Sequence, residues 1–376
     1  MPPSFNASNL LGCYEILAGP EGLTLTSESF IARSDDPILI TGATGFIGSV
    51  VVANLAERGF RNLRVIVRPS TNTAKLETLA VRTGSTIRII RGDLRSPADC
   101  EAAAGGAVVV LHLAASRGEK SFPDAFLNSV VTTRNLLEAA RKDHSLRRFV
   151  NVSSFTVYSN RNKPTGIILD ETCPIEEEPE KRGEAYCFAK VEQDKLVMEY
   201  GRTSGIPYVI VRPGYVYGPG NEGITGRVGI DSFGVFLHIG GWNTIPLSYV
   251  DNCAEAIVLA GLVDGIDGEV FNVVDDNLVS SRRFLRMYKH EVDDFWSLYV
   301  PRPLSYAFCY IWERYSEWSE GQLPPAFNPR RWHAEWKRTR YSNAKAKARL
   351  GWTQRVATHD GLTRHFESCR LKKANA

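Results

Sequence analysis

The chain has 376 residues, 43% of them hydrophobic and 23% charged, with a net charge of +3. That is enough polypeptide to bury a large core, as one big domain with an appended lobe, and the composition is that of an ordinary globular protein. The basic excess sits mostly near the C-terminus, where it reads as a solvated helix face, and a balance this mild argues against a nucleic-acid partner. The seven cysteines, Cys13, Cys100, Cys173, Cys187, Cys253, Cys309 and Cys369, are odd in number, scattered, and never form CxxC. They suggest reduced thiols in a cytoplasmic protein, with neither a disulfide framework nor a metal site.

Residues 1–36 show no clear periodicity and are expected to be an N-terminal extension. The stretch "NLLGC" ending at Cys13 lacks the basic and apolar segments of a signal peptide. From Pro37 a rhythm begins. Short apolar runs at Ile38–Thr41, Arg64–Val67, Ile87–Ile90, Val108–Leu113, Arg148–Val152 and Tyr208–Arg212 read as strands. Helical patterns separate them at about 46–58, 73–82, 97–104, 123–142 and 184–203. Apolar strands alternating with helices predict an α/β fold, a doubly wound parallel sheet covered on both faces, over residues 37–214. Residues 215–376 loosen into Gly-rich loops, a helix at 252–264, the strand "EVFNVV" and aromatic helices. They are expected to form a smaller C-terminal substrate lobe, with about 252–274 returning to the sheet.

The first strand runs into "TGATGFIGSVVVANLAERG", which places Gly42, Gly45 and Gly48 three residues apart. A strand, a glycine turn and a helix N-terminus make a dinucleotide phosphate cradle: glycines let the backbone turn and approach the pyrophosphate, and free N–H groups face it. Thr44, Phe46 and Ile47 complete the loop. Without a ligand, the same segment would be a Gly-rich turn. The second strand ends "VIVRPS". Arg68 stands where an Asp or Glu would select NAD, and no carboxylate occupies Ile66–Thr71, so NADP is favoured over NAD. The other reading of Arg68 has it stacking on adenine or pointing into solvent. After the third strand, "RGDL" puts Asp93 and Leu94 at the adenine end, unless Asp93 is a plain turn residue. After the fourth, Ala114 and Ala115 are small enough for close cofactor approach or simply for packing.

Ser153 and Ser154 end the fifth strand, at the sheet edge where open α/β folds bind ligands. "EAYCFAK" then places Tyr186 and Lys190 at i and i+4, on one face of a helix. Carbonyl reduction, or its reverse, needs a proton donor at the substrate oxygen, and a neighbouring ammonium makes a phenol a better one. Ser154 would orient that oxygen, or else be a cap serine. So short a pattern recurs by chance. "YSNAK" repeats it at Tyr341 and Lys345, but without a strand-end serine before it.

Together, the TGxxGxxG loop, the strand-end serine, the YxxxK pair and "RPGYVYGPG" (Arg212–Gly220) resemble the extended short-chain dehydrogenase/reductase family, the NAD(P)-dependent epimerase/dehydratase superfamily. The resemblance runs from about Pro37 to Leu362, including "YVDNCAEAI" (Tyr249–Ile257) and "YSNAKAKARLGW" (Tyr341–Trp352). It implies a Rossmann fold with Ser154, Tyr186 and Lys190 catalytic, Arg212, Pro213 and Gly214 beside the nicotinamide, and Asn128 on the helix under the active site. It also implies that the second YxxxK carries no chemistry.

Nucleotide-sugar members of the family often show a proline just before the tyrosine; "GEAYCFAK" departs from that and, like "VIVRPS", has features of the 3-beta-hydroxysteroid dehydrogenase-like branch. The activity implied is hydride transfer between a nicotinamide and a secondary alcohol or ketone. A nucleotide-sugar epimerase or dehydratase with retained NAD, and a non-catalytic cofactor sensor, are the alternatives. The expected partners are a small-molecule substrate, apolar or a nucleotide sugar, and a second copy in a homodimer, with no transmembrane span. The aromatic segment 295–318 has three open readings: core, lid over an apolar substrate, or a patch lying on a membrane.

Overall fold

Strands that are apolar on both faces need cover on both sides, and the chain supplies it by returning a helix after each strand. The computed structural model describes residues 30–116, 121–232, 234–319, 322 and 327–375. The first half runs β1 (Ile38–Thr41), α1 (Phe46–Glu57), β2 (Asn62–Val67), α2 (Ala74–Thr83), β3 (Thr86–Arg91), α3 (Pro97–Ala104) and β4 (Val109–His112). A short helix α4 (Phe122–Ala125) then passes through a π-helical turn, Phe126–Val131, into α5 (Thr132–Arg141). Next come β5 (Arg148–Val152), β6 (Ile168–Leu169), α6 (Ala185–Ser204) and β7 (Tyr208–Pro213).

The second half has β8 (Tyr215–Tyr217), β9 (Gly229–Ser232), β10 (Val235–His238), β11 (Leu247–Tyr249), α7 (Val250–Leu262) and β12 (Val270–Val273). It ends with α8 (Ser281–Glu291), β13 (Ser297–Tyr299), α9 (Arg302–Trp318), α10 (Pro329–Trp336), β14 (Arg340–Tyr341), α11 (Ala344–Leu350) and α12 (Thr358–Ala374).

Seven parallel strands form the main sheet in the order β12-β7-β5-β4-β1-β2-β3. The order reverses between β1 and β4, where Thr41 lies beside His112. Helices leave the two strands on opposite sides there, opening a crevice at their carboxyl ends. The expected doubly wound fold is present.

α7 shows why the sheet is so well covered. Twelve of its thirteen residues are buried, as a helix that is apolar almost all round must be. It packs between the sheet and α1. Gly261 permits that approach, because a Cβ there would come within 2.8 Å of Leu111 Cδ2.

Two regions depart from the sequence reading. The helix expected at 123–142 is interrupted by its π-helical turn, a feature that hydrophobic spacing does not reveal. Residues 30–36, read as extension, join the core: Ile31 N–H donates to Leu262 O at 2.8 Å and Ala32 is buried. Residues 1–29 lie outside the described residues.

The tail returns as well. Ala346, Leu350 and Trp352 join the main core, and Trp352 Nε1 donates to Asn252 O at 2.9 Å. The smaller sheets β13-β10-β9, β11-β8 and β14-β6 lie outside the main one. Among the described residues, no helix is long and apolar enough to cross a membrane.

Trp352→Ala is therefore expected to destabilise the whole fold by about 3–5 kcal/mol, as loss of a buried aromatic does. Urea unfolding measures it. A loss below about 1 kcal/mol would show the tail to be dispensable to the core.

Candidate active site

The turn from β1 into α1 is built from glycines because nothing larger fits. Gly42 has φ +68°, and a Cβ on it would meet Ala114 N at 3.0 Å. A Cβ on Gly48 would lie 2.1 Å from Gly42 O, a contact no side chain tolerates. Gly45 caps α1 without any side-chain cap bond, and the first turn holds no acidic residue. The helix thus keeps its N–H groups and its positive dipole end for an outside anion.

That N-terminus faces a cleft of about 870 Å³. Strand order sets its layout: Asp93 and Leu94 follow β3, Arg68 follows β2, Gly42 and Thr44–Gly48 follow β1, Ala114 and Ala115 follow β4, Ser154 follows β5, and Pro213 ends β7. All of these line the cleft, as do Tyr186, Lys190 and Asn128. Every candidate residue named from the sequence is brought to one groove, except Arg212.

Arg212 is buried behind the groove and does not line it. Its Nε pairs with Asp194 Oδ2 at 3.0 Å and its guanidinium stacks 4.7 Å over the Tyr158 ring. Alternation along β7 puts neighbours Arg212 and Pro213 on opposite sides. Asp93 lines the cleft, but its carboxylate already accepts from Arg95 Nε at 2.9 Å, which holds it below the usual range. An adenine amino group would have to share it. Arg68 is exposed at the rim, and Arg91 ties down the loop after it by donating to Pro69 O and Thr71 O at 2.7 and 3.2 Å.

Tyr186 and Lys190 lie one turn apart in α6, with the ammonium 5.9 Å from the centre of the phenol ring. Tyr186 is about a third exposed, while Lys190 is buried and donates to Val152 O at 2.8 Å. Burial pushes the Lys190 ammonium down to about 8, against the attraction of Asp194, so it stays mostly charged near neutrality. Ser154 Oγ accepts from Thr156 N at 3.2 Å as the cap of a short 3₁₀ turn. The cap uses a lone pair and leaves the hydroxyl proton for another acceptor.

Beneath the cleft, a chain of buried polar groups fixes the floor. Thr41 Oγ1 accepts from Leu113 N and Ala114 N at 3.1 Å each, so its own proton goes to His112 Nδ1 at 2.8 Å. His112 Nε2 then donates to Thr133 Oγ1 at 2.8 Å. The ring is thereby held neutral, and burial, with the Lys190 charge, pushes its pKa down to about 3.

Beyond the serine and tyrosine lies a polar end that sequence reasoning missed. Arg182, Glu184, Asn221, Thr225, Arg227 and Glu335 line it. Arg182 pairs with Glu184 and donates to Thr156 O at 2.6 Å. Arg331 Nε lies 3.6 Å from Glu184 and 3.5 Å from Glu335. Burial and the Glu184 charge push the Glu335 carboxyl up, whereas Arg182 and Arg331 outweigh burial at Glu184 and hold it low. Arg227 Nη1 donates to Ala334 O at 3.0 Å and reaches Tyr341 Oη at 3.4 Å. Tyr341 of the second YxxxK is a support that stacks 5.6 Å from Phe155.

Comparison with known proteins shows the family and the fold. The sequence profile of the NAD dependent epimerase/dehydratase family matches residues 38–273. Cinnamoyl-CoA reductase 1 of Oryza sativa subsp. japonica is 32% identical over 185 residues, which are 48% of this chain and 54% of that protein. The chain therefore spans about half the length of that relative. An Arabidopsis thaliana protein, 3beta-hydroxysteroid-dehydrogenase/decarboxylase isoform 1, is 23% identical over 368 residues, 89% of this chain and 80% of its own. Among solved structures, UDP-glucuronic acid 4-epimerase from Bacillus cereus, in complex with UDP-glucuronic acid and NAD, gives a TM-score of 0.65. It is 22% identical and covers 89% of this chain and 99% of that one, a likeness of fold.

The neutral His112 makes acid stability testable. Unfolded, its pKa returns to about 6.5, so between pH 6.5 and 3 the unfolded chain binds a proton that the native state refuses. Native stability from this group is full above that window and is lost as pH falls, by up to about 1.4 kcal/mol per unit. In urea unfolding at stepped pH, His112→Gln is expected to flatten the acid limb by that slope. An unchanged slope would mean that the ring is charged in the native state.

Proposed function

The chain belongs to the NAD dependent epimerase/dehydratase family, and we propose that within it the protein is an NADP-preferring oxidoreductase of secondary alcohols or their ketones. The observation that carries this reading is the convergence of Ser154, Tyr186 and Lys190 on one cleft with the glycine cradle.

The residues present suit a dinucleotide. A Cβ at Gly42 would press on Ala114 and one at Gly48 on the Gly42 carbonyl, so only glycines allow this turn, and the uncapped end of α1 beside it would offer its N–H groups to the pyrophosphate. Gly42, Thr44, Gly45, Phe46, Ile47 and Gly48 would hold the pyrophosphate, Ala114 and Ala115 would admit the cofactor, and Lys190 would hold its nicotinamide ribose. Arg68 would take the phosphate that distinguishes NADP, with Asp93 and Leu94 at the adenine and Pro213 at the far ring. When bound, the nicotinamide supplies or accepts the hydride.

The chain's own part is the proton. Tyr186 Oη gives its proton to the substrate oxygen on reduction, or takes one on oxidation. The Lys190 charge stabilises the phenolate left behind. Ser154 Oγ donates to the same oxygen as negative charge develops there. Asn128, in the π-helical turn, lines the cleft nearby.

A second reading has an observation of its own. The far end of the cleft carries Arg182, Arg227, Glu184, Glu335, Asn221 and Thr225, a set of polar groups that suits a hydroxyl-rich substrate better than a steroid. With that substrate the same trio would serve an epimerase or dehydratase, which returns the hydride and retains its nucleotide. The absorbance of NADPH separates the two: net consumption with a ketone supports the oxidoreductase, and conversion without net consumption supports the other.

Tyr186→Phe is expected to lower turnover by roughly 10²–10⁴-fold, the usual worth of a positioned acid–base group, with nucleotide affinity kept. Full activity in that variant would remove Tyr186 from the reaction. Arg68→Asp should weaken NADPH roughly ten- to a hundredfold, the loss of a charged hydrogen bond, and spare NADH. An equal loss for both nucleotides would contradict NADP selection.

A further inference from the structure

Helix α9 is built with its large apolar side chains facing away from the protein. The face it presents inward is small or polar: Ser305, Cys309 and Ser316 are the buried residues. The fit is made by the neighbour, since Trp332 of α10 donates its Nε1 proton to Ser305 Oγ at 2.9 Å and shares a core cluster with Cys309. Meanwhile Leu304, Phe308, Ile311, Tyr315 and Trp318 are 50–76% exposed. Their spacing of four, three, four and three places them within an arc of about 80° on one side of the helix. Of the readings open for segment 295–318, core is thus excluded for this stripe.

The surface does not stop at α9. Just before it, Trp296 and, within β13, Leu298 and Tyr299 are exposed, and Tyr299 approaches Gly241 beside the exposed Trp242. Arg282 of α8 stacks 5.1 Å over the Trp242 ring. From there α8 turns three exposed arginines outward, Arg282, Arg283 and Arg286. The acidic groups of α9 lie off the stripe: Glu313 is half a turn round from Ile311, and Glu317 pairs with Arg314 at 3.1 Å.

We infer that this face lies on the surface of an anionic lipid bilayer. Leu, Phe and Ile in the stripe would enter the boundary between headgroups and acyl chains. Trp and Tyr, apolar bodies with one polar atom each, favour that same depth. The arginines of α8 meet the lipid phosphates, the charge complement that an unlike protein surface would have to supply by chance. The protein would lie on the membrane without spanning it. None of the stripe residues or the α8 arginines lines the cleft, so Tyr186 and Lys190 are not part of the bound face.

The test is co-sedimentation of the full chain with vesicles of phosphatidylcholine and phosphatidylserine in equal parts, against phosphatidylcholine alone. The expected result is pelleting with the anionic vesicles, weakened by salt, with a blue shift of tryptophan emission. Leu304→Glu with Ile311→Glu should abolish it and leave NADPH affinity unchanged. Replacing Arg282, Arg283 and Arg286 by Gln should weaken it about fivefold per residue, on the order of a hundredfold in all. Failure of the wild-type chain to pellet would overturn the inference, and so would pelleting that survives the glutamates. A concentration-dependent dimer that the glutamates dissociate, without vesicle binding, would also overturn it and assign the face to a second copy.

Discussion

Between the end of β1 and the first turn of α1, the backbone of Gly42 and the Cα of Gly48 are already in contact. A methyl group at Gly48 would sit 2.1 Å from the Gly42 carbonyl oxygen. The helix can approach the strand this closely only because both positions lack side chains. The approach brings the helix N-terminus to the edge of the sheet at the point where strand order reverses. Everything else in the cleft is measured from that junction: Ala114 lies against Gly42 from the β4 side, and β5 and β7 follow at their fixed strand spacings.

The other half of the site depends on charges that water does not reach. Asp194 is fully buried and accepts from Asn151 Nδ2 and Arg212 Nε, both at 3.0 Å. Burial pushes its carboxyl up, while Arg212 opposes the shift. Arg212 in turn leans on Tyr158, whose hydroxyl donates to Asn272 of the edge strand at 2.7 Å. This chain ties α6 to β5, β7 and β12, and so holds Lys190 against the end of β5. Such a network is worth little over an apolar core of equal volume, yet deletion of one member leaves an uncompensated charge costing about 3–5 kcal/mol. Its role is to fix geometry rather than to add stability.

The half of the cleft that binds a nucleotide was legible in the sequence because its parts are local. Gly42, Gly45 and Gly48 are neighbours in one turn, Arg68 ends a recognisable strand, and Tyr186 and Lys190 are one helical turn apart. Strand and helix periodicity placed these at one sheet edge without any knowledge of distant contacts. Where the chemistry is assembled from remote segments, the sequence was silent. Glu184 meets Glu335 across most of the second half of the chain, and nothing distinguishes Glu335 from the other charges of a surface helix. Arg212 was misplaced because its side of β7 depends on Asp194, which no motif announces. The aromatic run 295–318 has the composition of a core. Only the contact with Trp332 reveals that the small residues face inward and the large ones outward.

These features describe a molecule with a groove built around a glycine junction and, apart from it, an exposed apolar stripe on α9. The proposed chemistry at a hydroxyl or carbonyl requires that the junction of Gly42 with Gly48 seat a dinucleotide. Titration of NADPH into the wild-type protein and a Gly48→Val variant, both checked for native circular dichroism, tests that most directly. Saturable binding by the wild type and its loss in the folded variant is the expected result. Equal affinity in the two, or none in either, would contradict it.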